Sequence, residues 1–190
     1  MKLKNLKMKK LAVAMPALIS VPAYLSAEET GGYLLDSIEI IGTKDRAQGL
    51  PGSGYVVDAE QMKTEAIDDI NQALKTVPGI YIREEDGYGL RPNIGIRGAT
   101  SERSEKITLM EDGVLIAPAP YTAPAAYYFP TILRMQSIEV LKGASMLKYG
   151  PQTTGGVLNM ISTPIPTSLS GRVSTFFGQN NQMNSHIYFG

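Results

Sequence analysis

The chain has 190 residues, a length that accommodates one domain of ordinary size with short additional segments. It has no cysteine and a single histidine, His186, which excludes disulfide bonds and thiolate metal sites and limits transition-metal binding. Its formal net charge is zero, but residues 1–27 hold five of the 18 basic side chains and none of the 18 acidic ones. The remainder is therefore acidic, with a net charge of −5, and no nucleic-acid partner is expected, because phosphate binding requires a basic face.

The first 27 residues have the three parts of a secretory signal peptide. Five lysines lie in the first ten positions, an apolar run follows at residues 11–25, and the small residues Ser26 and Ala27 come next. The apolar run is short for a membrane-spanning helix, and Pro16 and Pro22 interrupt it. We therefore expect export of the chain and cleavage after Ala27.

Residues 28–45 are predicted to be a flexible N-terminal segment. Within it, Ile38 and Ile40 alternate with Ser37 and Glu39 as in a short strand, either an exposed one or an edge strand of the following domain. Residues 44–55 contain three glycines and a proline and are predicted to form a loop.

Two short helices are predicted next. A strand at residues 56–57 ends at Asp58, which is predicted to cap a helix over residues 59–63. Asp68 is predicted to cap a second helix, whose apolar side chains share one face. Pro78 and Gly79 end this helix, and a strand is predicted at residues 80–82.

Three adjacent carboxylates, Glu84, Glu85 and Asp86, follow this strand. They lack the alternating oxygen ligands and the terminal glutamate of a calcium-binding loop. Nothing in the sequence places two of them across a cleft as an acid and a base. We interpret them as part of a solvated loop, and we predict neither a metal site nor a catalytic site.

Most of the remaining patterns are typical of strands. One strand is predicted at residues 93–98. Residues 108–110 and 114–116 flank Glu111, Asp112 and Gly113, which is the signal of a β-hairpin with a tight turn. Two apolar runs, at residues 138–141 and 157–161, predict strands separated by a turn region rich in glycine.

Four short motifs are notable for the order of their residues: Ile96-Arg97-Gly98, Lys142-Gly143 after an apolar strand, Tyr149-Gly150, and Gly155-Gly156-Val157-Leu158-Asn159. In this order they resemble the plug domain of TonB-dependent outer-membrane receptors, and residues 149–166 resemble ferric dicitrate receptors in particular. The resemblance implies an α+β plug over residues 46–167, with a small mixed β-sheet, short helices and long loops. Residues 168–190 would be the first hairpin of a truncated transmembrane β-barrel, since apolar and polar residues alternate there.

The resemblance also implies a partner and a set of internal contacts. TonB would bind the segment before the plug by adding this extended chain to its own sheet. The residues of this segment, the TonB box, are Asp36, Ser37, Ile38, Glu39, Ile40 and Ile41. Arg97 would contact carboxylates on the inner wall of the barrel, and Lys142, where the family has a second arginine, is predicted to make the matching contact.

The implied ligand is a ferric chelate, ferric citrate or another siderophore, bound between loops of the plug and of the barrel. The candidate ligand-binding residues lie in loops predicted to face outward: Tyr88, Arg91, Arg103, Tyr121, Thr122 and Tyr127. Thr122-Ala123-Pro124 stands where ferric dicitrate receptors have Gly-Gln-Pro, which leaves the identity of the chelate open. No resident cofactor is expected, because iron is carried only within the ligand.

The predicted function is that of the N-terminal part of an uptake receptor in the outer membrane, in contact with lipid through its barrel, and not that of an enzyme. A plugged barrel has about 22 strands of about 9 to 11 residues each, so we expect the chain to be a fragment. The alternative is a free-standing periplasmic binding or adaptor domain that has the plug fold and no barrel. An exported hydrolase has no support, since the chain contains no Gly-x-Ser-x-Gly motif.

Overall fold

The computed structural model describes residues 38–86, 89–116, 128–150, 153–181 and 183–190. Some of the predicted features lie outside these residues: the signal peptide at residues 1–27, Asp36, Ser37, Tyr88, Tyr121, Thr122 and Tyr127. Within the described ranges, none of the helices has the length and apolar character needed to cross a membrane.

Short helices and a mixed sheet make up the described part of the chain, which confirms the predicted α+β class. The helices are α1 (Lys44–Gln48), α2 (Ala59–Thr64) and α3 (Ile70–Lys75). The strands are β1 (Ser53–Val57), β2 (Ile80–Arg83), β3 (Asn93–Ile96), β4 (Ile107–Glu111), β5 (Val114–Leu115), β6 (Met135–Lys142), β7 (Gly156–Ser162), β8 (Gly171–Phe177) and β9 (Met183–Phe189). Five of them form a central sheet in the order β1-β6-β7-β4-β5, while β2–β3 and β8–β9 are two-stranded.

The central sheet joins strands that are far apart in the sequence. β6 pairs with β1 and with β7 in antiparallel fashion, whereas β7 and β4 are parallel. In this register, Glu139 of β6 lies directly opposite Asn159 of β7, and Asn159 lies opposite Met110 of β4. The centre of the sheet therefore places two polar residues side by side.

Both faces of the central sheet are covered. The larger apolar core includes residues of α2 and α3 and lies on the first face: Val57, Met62, Ile70, Ala73, Leu74, Leu109, Ile138, Val140, Leu158 and Met160 belong to it. Because successive side chains of a strand alternate, their neighbours point to the second face. There, Leu141 and Val157 pack with Ile41 and Ala47, which come from the N-terminal part of the chain.

The two helix caps were predicted with different success. The carboxylate of Asp58 accepts a hydrogen bond from the Gln61 amide at 2.9 Å, which confirms the predicted cap of α2. The prediction that Asp68 caps α3 is wrong, because Asp69 is the cap and accepts from the Asn71 amide at 2.8 Å. The Asp68 carboxylate accepts a hydrogen bond from the side-chain amide of Asn184 instead.

Residues 44–55, predicted to be a loop, contain both α1 and most of β1. Thr43 caps α1, since its hydroxyl oxygen accepts a hydrogen bond from the Arg46 amide at 3.3 Å. Gly54 belongs to β1, and a Cβ atom placed on it would lie 3.2 Å from the Cβ of Ala47. The glycine thus allows α1 to approach β1 closely and does not interrupt the strand. The loop prediction, which rested on glycine content, is therefore wrong for these residues.

The predicted hairpin between β4 and β5 is confirmed. Its turn residues Asp112 and Gly113 have φ angles of 49° and 77°, and Glu111 pairs with Val114 across them. Two positive φ angles in a two-residue loop are typical of the hairpin turn that an Asp-Gly sequence favours. The Asp112 carboxylate also accepts hydrogen bonds from the amide and the hydroxyl of Ser162, which fixes the turn to the end of β7.

The last two strands form a hairpin whose two faces differ. On one face, the apolar side chains Val173, Phe177, Met183, Ile187 and Phe189 are all exposed by 62% or more. On the other face, Arg172 pairs with Tyr188 and Ser174 with His186 in the register of the strands. The predicted alternation of apolar and polar positions is therefore present.

Candidate functional site

The described part of the predicted TonB box, residues 38–41, lies on the second face of the central sheet. Ile38 is 61% exposed, whereas Ile41 is 2% exposed and packs in the apolar cluster of this face. Residues 38–42 are in no strand, and within the described ranges their main chain bonds to side chains of the sheet. Residues 38–42 are thus attached to the domain without adding a strand to its sheet.

A buried carboxylate holds these residues. Glu139, which is 1% exposed, accepts hydrogen bonds from three consecutive amides: Ile40 at 2.8 Å, Ile41 at 2.9 Å and Gly42 at 2.6 Å. Taking a carboxylate out of water is costly unless donors replace the lost water. Successive main-chain N–H groups make such an anion-binding concavity. The sheet therefore presents the acceptor, and the N-terminal residues supply the donors.

Asn159 completes the arrangement from the neighbouring strand. Its side-chain NH₂ group donates to the Glu139 carboxylate at 2.9 Å and to the carbonyl oxygen of Ile38 at 3.2 Å. Its side-chain oxygen accepts from the amide of Gly113 at 2.9 Å, in the turn between β4 and β5. We call Glu139, Asn159 and the main-chain groups that they bind in residues 38–42 the Glu139–Asn159 clasp.

Sequence reasoning did not single out Glu139 or Asn159 as site residues. The available signal was that each is the single polar residue of a predicted apolar run, Glu139 in residues 138–141 and Asn159 in residues 157–161. A polar residue at such a position requires a hydrogen-bonding partner when it is buried. The partner itself was not predictable, because it lies 97 to 99 positions away from Glu139 in the sequence.

Arg97 and Lys142 lie together at one corner of the domain. Lys142 is 4% exposed, and its ammonium group donates to the carbonyl oxygen of Pro78 at 2.6 Å. Burial lowers the pKa of Lys142, and the positive charge of Arg97 adds to this effect. No carboxylate among the described residues forms an ion pair with either side chain. Their contact with a barrel wall remains a prediction.

The backbone at Arg97 is also unusual. Its φ angle is 52°, in the left-handed region that residues other than glycine rarely adopt. Its amide donates to the carbonyl of Gly79 at 2.9 Å. Its side chain is exposed. Such a conformation costs of order 1 kcal/mol and persists where the surroundings determine it.

Arg91 and Arg103 lie in two exposed loops that contact each other. The Arg103 amide donates to the side-chain oxygen of Asn93 at 2.7 Å, and the Ser104 hydroxyl donates to the carbonyl of Pro92 at 2.8 Å. The Arg91 amide donates to the Asp86 carboxylate at 3.2 Å. Both guanidinium groups are on exposed residues, and binding of an anionic ligand by them remains a prediction.

In the part of the chain that the structure describes, no cluster of three or more histidine, aspartate or glutamate side chains could hold a metal ion.

A family model described as the TonB-dependent Receptor Plug Domain matches residues 46–157, which is more than half of the chain. The chain belongs to this plug domain family. The resemblance seen in its motifs is thereby confirmed. The family consists of receptor domains, in agreement with the prediction that the chain is not an enzyme.

Individual relatives of this plug domain are known transporters. The vitamin B12 transporter BtuB of Vibrio vulnificus strain CMCP6 is 26% identical over 181 residues, which are 93% of this chain and 28% of the relative. BtuB of strain YJ016 is 27% identical over 159 residues, which are 81% of this chain and 24% of the relative. The chain thus spans about a quarter of the length of these curated relatives.

Solved structures share the fold of the plug. The ferric citrate transporter FecA in its unliganded form is 26% identical with a TM-score of 0.60, over 69% of this chain and 20% of FecA. The ferric yersiniabactin uptake receptor FyuA of Yersinia pestis has a TM-score of 0.57 over 75% of this chain and 22% of FyuA. At 22% identity, FyuA supports the fold alone.

Proposed function

We propose that the chain is the N-terminal part of a TonB-dependent outer-membrane receptor for active uptake of a ferric chelate, either ferric citrate or another siderophore. The plug match over residues 46–157 is the observation that carries this proposal. The similarity to FecA favours an iron chelate, and the resemblance of residues 149–166 to ferric dicitrate receptors agrees with it. The similarity to BtuB makes a cobalamin the competing ligand.

In this proposal the β8–β9 hairpin is the beginning of the surrounding barrel. Its exposed apolar face, with Val173, Ile187 and Phe189, would contact outer-membrane lipid. Its opposite face carries Arg172 and His186 and would point to the lumen. This alternation of apolar and polar positions is the pattern of a transmembrane barrel strand.

The plug acts as a gate in this receptor, and no covalent chemistry is required. TonB, whose work is driven by the proton gradient of the inner membrane, binds the TonB box in the periplasm and pulls on it. The pull moves or partly unfolds the plug and admits the chelate. The exported receptor reaches the outer membrane after removal of residues 1–27, and it needs no resident cofactor.

The ligand site is proposed on the outward loops of the plug. Arg91 and Arg103 attract a chelate that carries negative charge, because guanidinium groups bind carboxylates with two parallel hydrogen bonds. Their loops are fixed to each other through Asn93, Pro92 and Ser104, which positions the two exposed arginines on one part of the domain.

The test is uptake by cells in which the gene for this protein has been deleted. Under iron limitation, we expect uptake of radiolabelled ferric citrate to fall and to return when the gene is restored. A protonophore should abolish the restored uptake, because TonB depends on the proton gradient. Uptake of labelled cyanocobalamin serves as the matched control and should not change. Loss of cobalamin uptake with normal iron uptake would assign the receptor to the other ligand.

A further inference from the structure

We propose that Asn93 and Ser104 are positioning residues that hold Arg103 in a strained backbone conformation, from which its guanidinium group binds the anionic ligand. This inference rests on the proposed function and deepens it, because it names the residues that place one of the ligand-binding arginines. Asn93 and Ser104 are buried, and they act through Arg103 without touching the ligand. We call these two side chains, with the main-chain groups that they bind, the Asn93–Ser104 clip.

The loop between β3 and β4 contains two consecutive residues with left-handed backbone conformations. Arg103 has φ and ψ angles of 49° and 23°, and Ser104 has a φ angle of 55°. Neither is a glycine, which adopts this region without a steric penalty. Backbone strain of this kind clusters at functional sites and persists only where the surrounding contacts determine it. With arginine and serine at these positions, the loop depends on other contacts to keep its conformation.

Asn93 holds the first of the two strained residues. Its side-chain oxygen accepts from the Arg103 amide at 2.7 Å, while its NH₂ group donates to the carbonyl of Arg83 on β2 at 3.1 Å. Because the NH₂ group is bound to β2, the side-chain oxygen is directed toward the loop. Asn93 is 1% exposed, so water does not replace these bonds when one of them is lost.

Ser104 holds the second strained residue. Its hydroxyl group donates to the Pro92 carbonyl at 2.8 Å and accepts from the Ile94 amide at 3.0 Å. Ser104 is 0% exposed. Removal of the hydroxyl would leave a buried carbonyl and a buried amide unpaired, which costs more than the bonds themselves contribute. The hydroxyl thus ties the loop to the main chain on both sides of Asn93.

The strained conformation presents a free cation. Arg103 is exposed, and the ion pairs in the described part of the chain do not include it. A guanidinium group binds a carboxylate through a planar fork of donors, so its direction matters. Arg91 is also exposed and lies two positions before Asn93, so the clip limits the separation of the two arginines. Fixing this separation before binding reduces the entropy that is lost when the ligand binds.

The first arm of the test measures the conformation of the loop without ligand. The chain has no cysteine, so Glu102→Cys in the full chain provides a single site for a nitroxide spin label beside Arg103. We expect Asn93→Ala to make the label more mobile, with narrower lines in its spectrum, because the acceptor of the Arg103 amide is lost. The matched control is a label at Glu60→Cys, an exposed position on α2, whose mobility should not change.

A second variant covers the case in which Asn93→Ala does not fold. Ser104→Ala removes the hydroxyl bonds of the clip and leaves the bond between Asn93 and the Arg103 amide in place. It should also make the label at position 102 more mobile, while the thermal unfolding transition of the domain is retained. Unchanged mobility of this label in the folded variants would overturn the clip, whether or not the protein takes up a chelate.

The second arm measures uptake of radiolabelled ferric citrate at several concentrations, by cells that express the protein from its own gene. Arg103→Ala and Asn93→Ala should each raise KM about tenfold, as expected for one lost charge-assisted hydrogen bond, and leave the maximal rate per receptor unchanged. The charge-matched control is Lys106→Ala, which removes an exposed ammonium group from the same loop and should leave KM unchanged.

A double variant distinguishes positioning from a merely structural role. If Asn93 acts through Arg103, the double variant Asn93→Ala with Arg103→Ala should have the same KM as Arg103→Ala alone. Multiplied effects on KM in the double variant would overturn the positioning role. A lower maximal rate with unchanged KM in Asn93→Ala would overturn it as well, since loss of folded receptor has that result.

Failure of this inference can be told apart from failure of the proposed function. If the wild type takes up ferric citrate and Arg103→Ala has an unchanged KM, the inference is wrong and the proposed function stands. If the wild type takes up no ferric citrate, the proposed function fails and the ligand-binding role of Arg103 fails with it. A more mobile label in Asn93→Ala would then leave only the attachment of the loop by the clip.

Discussion

Glu139 and Lys142 are both buried charged residues of β6, but their surroundings compensate their charges to different extents. Glu139 accepts from three amides and from the side chain of Asn159, so donors surround it. The ammonium group of Lys142 donates to the carbonyl of Pro78, and the positive charge of Arg97 is nearby. Burial without full compensation disfavours the charged form, which explains the lowered pKa of Lys142.

This pKa shift predicts a pH dependence of stability. In the unfolded chain, Lys142 titrates near its ordinary pKa of 10.5, and in the folded chain it loses its proton at a lower pH. Between these two pKa values the unfolded state binds more protons, so the free energy of unfolding rises with pH. We expect the wild type to gain stability relative to Lys142→Met as the pH increases toward 10.5, measured by denaturant unfolding at several pH values.

The matched control for this measurement is Lys106→Met, which removes an exposed ammonium group. The difference in free energy of unfolding between Lys106→Met and the wild type should stay nearly constant over the same pH range. A constant difference for Lys142→Met as well would show that its ammonium group titrates alike in both states.

At the scale of elements, the local signals were the reliable ones. The hairpin between β4 and β5 was predictable because Asp112 and Gly113 determine their own turn. The cap at Asp58 was predictable for the same reason. In contrast, β1 pairs with β6, as in the register of Ser53 with Lys142, so nothing near β1 in the sequence indicates that residues 53–55 belong to a strand.

The candidate site was predictable only in part, for a related reason. Resemblance to the family suggested the TonB box and a contact role for Arg97, since these are short motifs, and both assignments stay predictions. The clasp depends on a register that brings Glu139 opposite Asn159 and on a segment that returns to them across the second face. A pattern of residues along one strand contains no information about which distant segment covers it.

The hairpin turn offers a direct test of the contact with Ile38. Gly113→Ala and Gly79→Ala place a methyl group at nearly equal φ angles of 77° and 76°, but the space around Gly79 is open. Each should lower the free energy of unfolding by about 1 kcal/mol because of its positive φ angle. Gly113→Ala should cost more, since its Cβ would lie 2.7 Å from that of Ile38.

The additional loss of unfolding free energy in Gly113→Ala should disappear when Ile38 is also changed to glycine. Chemical denaturation of the single and double variants measures these free energies. Equal costs of Gly113→Ala and Gly79→Ala in the wild-type background would contradict the contact between the turn and the N-terminal residues.

At the scale of the whole molecule, a plug domain and a hairpin with one exposed apolar face follow each other in one chain. The plug has its own core on both faces of the central sheet, whereas the apolar side chains of the hairpin face outward. Exposed apolar surface of this kind marks a site of contact with a partner or a membrane. In the proposed receptor, lipid is that partner.

This assignment predicts a difference between the two faces of the hairpin. In the protein expressed from its own gene, Ile187→Lys places a charge on the apolar face and should reduce the amount recovered in the outer-membrane fraction. The cost of a lysine facing lipid is about 2–4 kcal/mol near the middle of the bilayer. Ser174→Lys, on the opposite face, should be recovered like the wild type. Equal recovery of both variants would argue against lipid contact of the apolar face.

The position of β1 at the rim of the central sheet has a mechanical consequence. Tension applied at residues 38–42 first breaks their hydrogen bonds to Glu139 and Asn159 and then passes along the chain through α1 to β1. In the described part of the sheet, the only hydrogen-bonded neighbour of β1 is β6. Stripping β1 away ruptures a single ladder, and β6, β7 and β4 keep theirs. The protein would therefore yield stepwise from its rim, and the intact remainder would serve as a template on which the detached residues re-form when the tension ceases.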